Sequence, residues 1–133
     1  MEVKAKLNNL RIGPRKVRLV ADLIRGMNAH DAISQLKYLN KKSSVSMIKL
    51  IESAMANGEN NVNLKRSDLY IKAITVDEGI TIKRWMPKAF GRAGKIRKRG
   101  SIVNIVLEEK QGLKVNDKKA KGQAGKERIS TNV

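Results

Sequence analysis

The chain is expected to be α+β: three helices packed on a small antiparallel three-stranded sheet, with a long protruding β-hairpin. Three features of its 133 residues lead there. Near the start, Val3, Ala5 and Leu7 alternate with polar residues, and in the strand-like run Ile102 to Leu107 the apolar residues Val103, Ile105 and Leu107 recur at the same period of two, that of a half-buried strand. Three stretches between them repeat their apolar residues at helical spacing. A basic, glycine-punctuated segment then leads into the last strand.

The elements follow in order. Val3, Ala5 and Leu7 alternate with Glu2, Lys4 and Lys6 in a first strand. Ile12-Gly13-Pro14 breaks it and sets a proline at the first turn of a helix. Val17, Val20, Ala21 and Ile24 give that helix one apolar face, which Leu19 and Leu23 widen, and Arg25-Gly26 stops it. Asn28, with Asp31 three residues on, caps a short helix carrying Ile33, Leu36 and Leu39. Ser43 or Ser44 is placed to cap a longer, central helix with Val45, Ile48, Ile51 and Met55 on its apolar arc, ending at Asn57-Gly58-Glu59-Asn60-Asn61. Leu69 to Val76 is strand-like, Asp77-Glu78-Gly79 interrupts it, and Ile80 and Ile82 resume the alternation toward the core. One domain, 1–110, with an arm at about 80–106, accounts for these elements. The basic tail 111–133 has almost no apolar period and reads as disordered.

Composition removes whole classes of chemistry. There is no cysteine, hence no disulfide, thiolate zinc site or cysteine nucleophile, and a single histidine cannot build a His-based metal cage. No apolar run reaches about 18 residues, so no membrane span is expected. Residues Met1 to Arg11 lack the apolar stretch of a signal peptide. Catalytic readings do poorly. Neighbours such as Asp77 and Glu78 point to opposite faces of a strand. His30 sits at a helix start as a solvated or capping residue. Gly91 and Gly94 lack the strand–glycine–helix context of a phosphate loop. Neither an enzyme nor a cofactor is expected.

The net charge of +17 is unevenly placed. Residues 27–78 are close to neutral, whereas 79–107 hold eight basic side chains and no acidic one. Like charges at that density repel unless a polyanion neutralises them. Pro87, Gly91 and Gly94 supply turn chemistry for a loop near 87–94. If the strands continue to that loop, each side adds roughly eight residues, an arm on the order of 25 Å long at about 3.3 Å per residue. With charge on both faces, the arm has no hydrophobic side to bury and would be marginal alone in water. Trp85 and Phe90 either brace it across the strands or meet a ligand. Arg84, Arg92, Arg97 and Arg99 suit bidentate phosphate contacts, with Lys83, Lys88, Lys95 and Lys98 as point charges. A second cluster, Arg11, Arg15, Lys16 and Arg18, surrounds the first helix's start, where main-chain N–H groups favour phosphate. A solvated polar helix face is the alternative there.

Several motifs in unbroken order over roughly 1–110 carry a resemblance. They are Arg11-Ile12-Gly13-Pro14-Arg15-Lys16-Val17-Arg18-Leu19-Val20-Ala21-Asp22-Leu23-Ile24-Arg25-Gly26, then Ser53-Ala54-Met55-Ala56-Asn57, Val76-Asp77-Glu78-Gly79, and Lys83-Arg84-Trp85-Met86-Pro87-Lys88-Ala89-Phe90-Gly91-Arg92-Ala93. Together they resemble the large-subunit ribosomal protein twenty-two family. The resemblance implies an α+β body on the large subunit beside the peptide exit and a hairpin reaching inward along the exit tunnel. It implies binding to 23S-type rRNA, a part in early subunit assembly, and a constriction shared with large-subunit protein four. It further implies a monomer within a cytoplasmic ribosome, bacterial or else organelle-encoded. Carried onto this chain, Pro87, Lys88, Ala89, Phe90, Gly91, Arg92 and Ala93 form the tip nearest the nascent polypeptide. Lys83, Arg84, Lys88, Lys95, Arg97, Lys98 and Arg99 line the arm against RNA. The competing reading is a free basic regulator that lays the hairpin in a DNA groove. A membrane-active protein ranks below both.

Overall fold

The computed structural model describes residues 1–110; the tail 111–133, expected to be disordered, lies outside the described residues. In chain order the elements are β1 (Glu2–Leu10), α1 (Pro14–Ile24), α2 (Ala29–Tyr38), α3 (Lys42–Val62), a 3-10 turn at Arg66–Asp68, β2 (Leu69–Glu78), β3 (Ile82–Pro87), β4 (Ala93–Lys98) and β5 (Ser101–Glu109). The expected α+β fold is the one observed. A three-stranded antiparallel sheet, ordered β1-β5-β2, carries the helices on one face, and β3 and β4 form a separate two-stranded ribbon. The ribbon extends the β2–β5 hairpin outward.

Strand β5 is central and alternates strictly: Ser101, Val103, Ile105 and Leu107 are buried, and Ile102, Asn104 and Val106 are half-buried. Its inward side chains meet Val17, Val20, Ala21 and Ile24 of α1, Leu36 of α2, and Met47, Ile51 and Ala54 of α3 in a single core. Strand β2 changes phase midway. Leu69 and Ile71 face the core, then Ile74 and Val76, because a bulge between Ile71 and Ala73 absorbs Lys72. Strand β1 shifts register between Leu7 and Leu10, around Asn9 at φ 57°.

Several local expectations are corrected. Leu19 and Leu23 do not widen the buried face of α1 but lie exposed. Val45 is likewise exposed on α3. Lys41, not a serine, occupies the α3 N-cap position, and Ser43 and Ser44 are buried inside the first turn, where the Ser44 hydroxyl donates to the Leu39 carbonyl at 3.1 Å. Asn28 does precede α2, but its side chain donates to Asp31 rather than accepting from the helix backbone. Helix α3 also runs through the predicted stop at Asn57-Gly58. Gly58 is where the helix packs tightly, since a Cβ there would lie 3.3 Å from a Val3 methyl and 3.4 Å from a Leu69 methyl. The helix ends instead at Asn63, which takes the left-handed conformation at φ 54°.

The free edge of β2 is covered along its length. Gly26 N–H donates to the Ile71 carbonyl, Ile71 N–H donates to the Met27 carbonyl, and Arg18 of α1 and Arg25 just after it reach the carbonyls of Val76 and Ile74. An exposed edge would otherwise invite pairing with other chains.

Candidate nucleic-acid interface

The arm is a ribbon in the register Ile82↔Lys98, Lys83↔Arg97, Arg84↔Ile96, Trp85↔Lys95, Met86↔Gly94 and Pro87↔Ala93. The projecting strands are shorter than the expected arm at 80–106: six residues each, roughly 20 Å at about 3.3 Å per residue. Residues 101–106 run within the body sheet, and Ile80 is exposed rather than turned to the core. No body element packs substantially on either arm strand.

Cross-strand partners share a face, which sorts the arm's side chains. One face holds Ile82, Met86 and Ile96 with Arg84 and Lys98; the other holds Lys83, Trp85, Lys95 and Arg97. Charge does lie on both faces. The expectation of no apolar side needs correction, however, because Ile82 and Ile96 are half-buried on the first. On the second, the Lys95 ammonium sits 5.5 Å from the centre of the Trp85 ring, a cation–π pair across the ribbon. Trp85 thus has a cross-strand partner in Lys95, and it stays largely exposed. Lys83 opposes Arg97 directly, and such a like-charge rung destabilises an isolated ribbon.

At the tip, Phe90 and Gly91 have φ of 59° and 66°, and Arg92 N–H donates to the Ala89 carbonyl. Two central residues at positive φ match the twist of a two-stranded ribbon. Glycine takes this conformation freely; phenylalanine does so at a cost of about 1–2 kcal/mol. Phe90 is 99% exposed. Lys88 and Arg92 pair through the main chain at 2.7 Å and leave their charged ends in solvent.

All eight basic residues of the arm, Lys83, Arg84, Lys88, Arg92, Lys95, Arg97, Lys98 and Arg99, are exposed, and none forms an ion pair among the described residues. The second cluster divides. Arg11, Arg15 and Lys16 are exposed around the start of α1, whose first turn has no acidic residue. Arg18 is turned to the body, with Nε and Nη2 donating to the Val76 carbonyl at 3.2 and 3.1 Å.

Where arm meets body, two glycines permit a contact that no motif in the sequence marks. Gly79 N–H donates to the Gly100 carbonyl at 3.0 Å, and Gly100 N–H to the Ile80 carbonyl at 3.1 Å. A Cβ on Gly100 would stand 2.9 Å from the Ile80 carbonyl oxygen. Beside it, the fully buried Ser101 hydroxyl donates to the Ile12 carbonyl at 2.5 Å. This hydrogen bond ties the turn carrying Arg11 to the root of the arm carrying Arg99. Short glycine-containing loops were legible in the sequence, but which loops touch was not.

No cluster of acidic, histidine or cysteine side chains among the described residues has metal-site geometry, and no described helix is long and apolar enough to cross a membrane. What the surface offers is unpaired positive charge on a narrow ribbon and at a helix start. Comparison with known proteins settles the family. Residues 5–108 match the model for ribosomal protein L22p/L17e. The chain belongs to this family. Among bacterial relatives named large ribosomal subunit protein uL22, the one from Bdellovibrio bacteriovorus is 51% identical over 110 residues, 83% of this chain and all of its own length. Those from Pelotomaculum thermopropionicum and Thermus thermophilus are 49% and 48% identical, covering 84% of this chain and 98% and 99% of their own lengths. As a member of the L22p/L17e family the chain is a ribosomal protein and not an enzyme. The matched region spans both the body and the arm.

Proposed function

We propose that this chain is built into the large ribosomal subunit by binding 23S-type rRNA through the arm and the α1 start, with the arm lining the polypeptide exit tunnel. The observation that carries this reading is the arm itself: eight exposed, unpaired cations on a ribbon that leaves the body. Bound RNA supplies the counter-charge that the Lys83–Arg97 rung lacks and the surroundings that a lone two-stranded ribbon needs. Early subunit assembly, contact with large-subunit protein four and contact of Phe90, Gly91 and Arg92 with the nascent peptide belong to the same reading. Bacterial relatives support a cytoplasmic ribosome as its location. Membership in a ribosomal family weighs against the free groove-reading regulator.

Each neutralised phosphate contributes about −0.7 to −0.9 to the log–log dependence of affinity on salt. Replacing Arg97, Lys98 and Arg99 together by alanine is expected to flatten that slope by up to about two units for large-subunit rRNA. An unchanged slope and affinity would place those side chains in solvent and overturn the reading.

A further inference from the structure

The fold gives a place to three of the four aromatic side chains. Tyr70 donates its hydroxyl to Glu108, Trp85 lies under Lys95, and Phe90 forms the arm tip. Tyr38 has no such place. It is the last residue of α2 and is 92% exposed. Around it, Lys37 lies in the last turn of α2, Lys41 is the residue before α3, and Lys42 is the first residue of α3. All three lysines are exposed, none forms an ion pair among the described residues, and the first turn of α3 has no acidic side chain.

The corner that carries them is fixed rather than loose. Lys41 N–H donates to the Leu39 carbonyl at 2.8 Å, Ser44 N–H to the Lys41 carbonyl at 3.0 Å, and the buried Ser44 hydroxyl to the Leu39 carbonyl. Leu39 packs against the core beneath. The exposed ring and the three exposed lysines thus lie within six residues on a turn that the main-chain bonds hold in place. A flat exposed ring flanked by cations suits a polyanion that also has flat faces, an unpaired stretch of nucleotides. An anionic bilayer fits poorly, because the apolar side of α2 (Ala29, Ala32, Leu36) is buried in the core.

We infer that the α2–α3 corner, Tyr38 with Lys37, Lys41 and Lys42, is a second RNA-binding site, stacking an unpaired base on Tyr38 and holding its phosphates at the lysines. The inference rests on the proposed RNA-bound function but not on the arm.

The test uses the full chain and a large-subunit rRNA transcript, with affinity and nucleotide protection as readouts. Tyr38→Leu is expected to weaken binding roughly five- to a hundredfold, as loss of one base–aromatic stack does, while Tyr38→Phe keeps it. Both variants also lose or keep, respectively, protection of a nucleotide set separate from the one that Arg97, Lys98 and Arg99 protect. Replacing Lys37, Lys41 and Lys42 by alanine flattens the salt slope by up to about two units. If Tyr38→Leu binds like the wild type while the arm variant weakens, the inference fails and the proposed function stands. If neither variant weakens, the RNA reading itself fails. Loss of binding to an acidic ribosomal protein, with rRNA binding intact, would give the corner to a protein partner and overturn the inference.

Discussion

Arg18 and Ser101 are polar side chains that the fold turns on its own main chain. In the sequence Arg18 stands among Arg11, Arg15 and Lys16 and looks like one more phosphate ligand; only the packing of α1 against β2 brings it to the Val76 carbonyl. Ser101 carried no signal at all, since its partner Ile12 lies 89 positions away. Ser101→Ala leaves the Ile12 carbonyl without its donor and is expected to cost about 1–3 kcal/mol in urea unfolding. A cost near zero would mean that water replaces the hydroxyl. A second cluster lies where β1, β5 and β2 meet. Lys72, set at the β2 bulge, donates to Glu2 at 2.6 Å and lies 3.2 Å from Glu108, which also accepts from Tyr70 at 2.7 Å. Hydrogen bonds from Lys72 hold the Glu2 carboxyl below its usual value, and those from Tyr70 and then Lys72 do the same for Glu108. The same bonds raise Lys72 and Tyr70 above theirs. The contribution is therefore whole above the ordinary carboxylate range and fades as pH falls through the lowered folded values. It is also whole below the ordinary tyrosine and lysine range, and fades as pH rises through the raised ones. The stability gap between wild type and Lys72→Met should thus be largest near neutral pH and shrink toward both acid and alkali. A gap independent of pH would contradict the network. Lys72 and Glu2 are exposed and Glu108 is half-buried, so the gap is small and salt-sensitive.

Among the elements, those whose period matches their packing were legible. Strand β5 turns inward the Val103, Ile105 and Leu107 that its sequence spaces two apart, and Pro14 and Gly26 bracket α1 as punctuation suggests. In α3, Gly58 looks like a stop in the sequence, but it serves close approach to Val3 and Leu69, a fact of tertiary packing. Strand β2 hid its bulge because Leu69, Ile71, Ile74 and Val76 fit no single period-two face. The arm's charge was plain in the sequence, and its partial apolar face became visible only with the register that sets Ile96 opposite Arg84. Since no body element packs substantially on the arm, deleting Lys88–Ala93 is expected to leave helical and sheet circular dichroism of the body unchanged and to change tunnel-dependent behaviour. Loss of folding would contradict the modular reading.

For the whole molecule, the excess charge is segregated. A close-packed body with a self-contained core carries a ribbon that packs poorly against anything in its own chain, and the cations gather on that ribbon and at the start of α1. Such a division suits a part that folds first and completes its surroundings on assembly, because the arm gains its neutralising charge only from the partner. Family membership fixes the assembly as the ribosome, and the arm's position within it is the central claim. A cryo-EM map of the large subunit containing this chain tests that claim most directly. The expected map shows rRNA phosphates along Lys83, Arg84, Arg97 and Arg99, with Phe90 and Gly91 at the wall of the exit tunnel. An arm lying on the outer surface of the subunit, or in solvent, would contradict it.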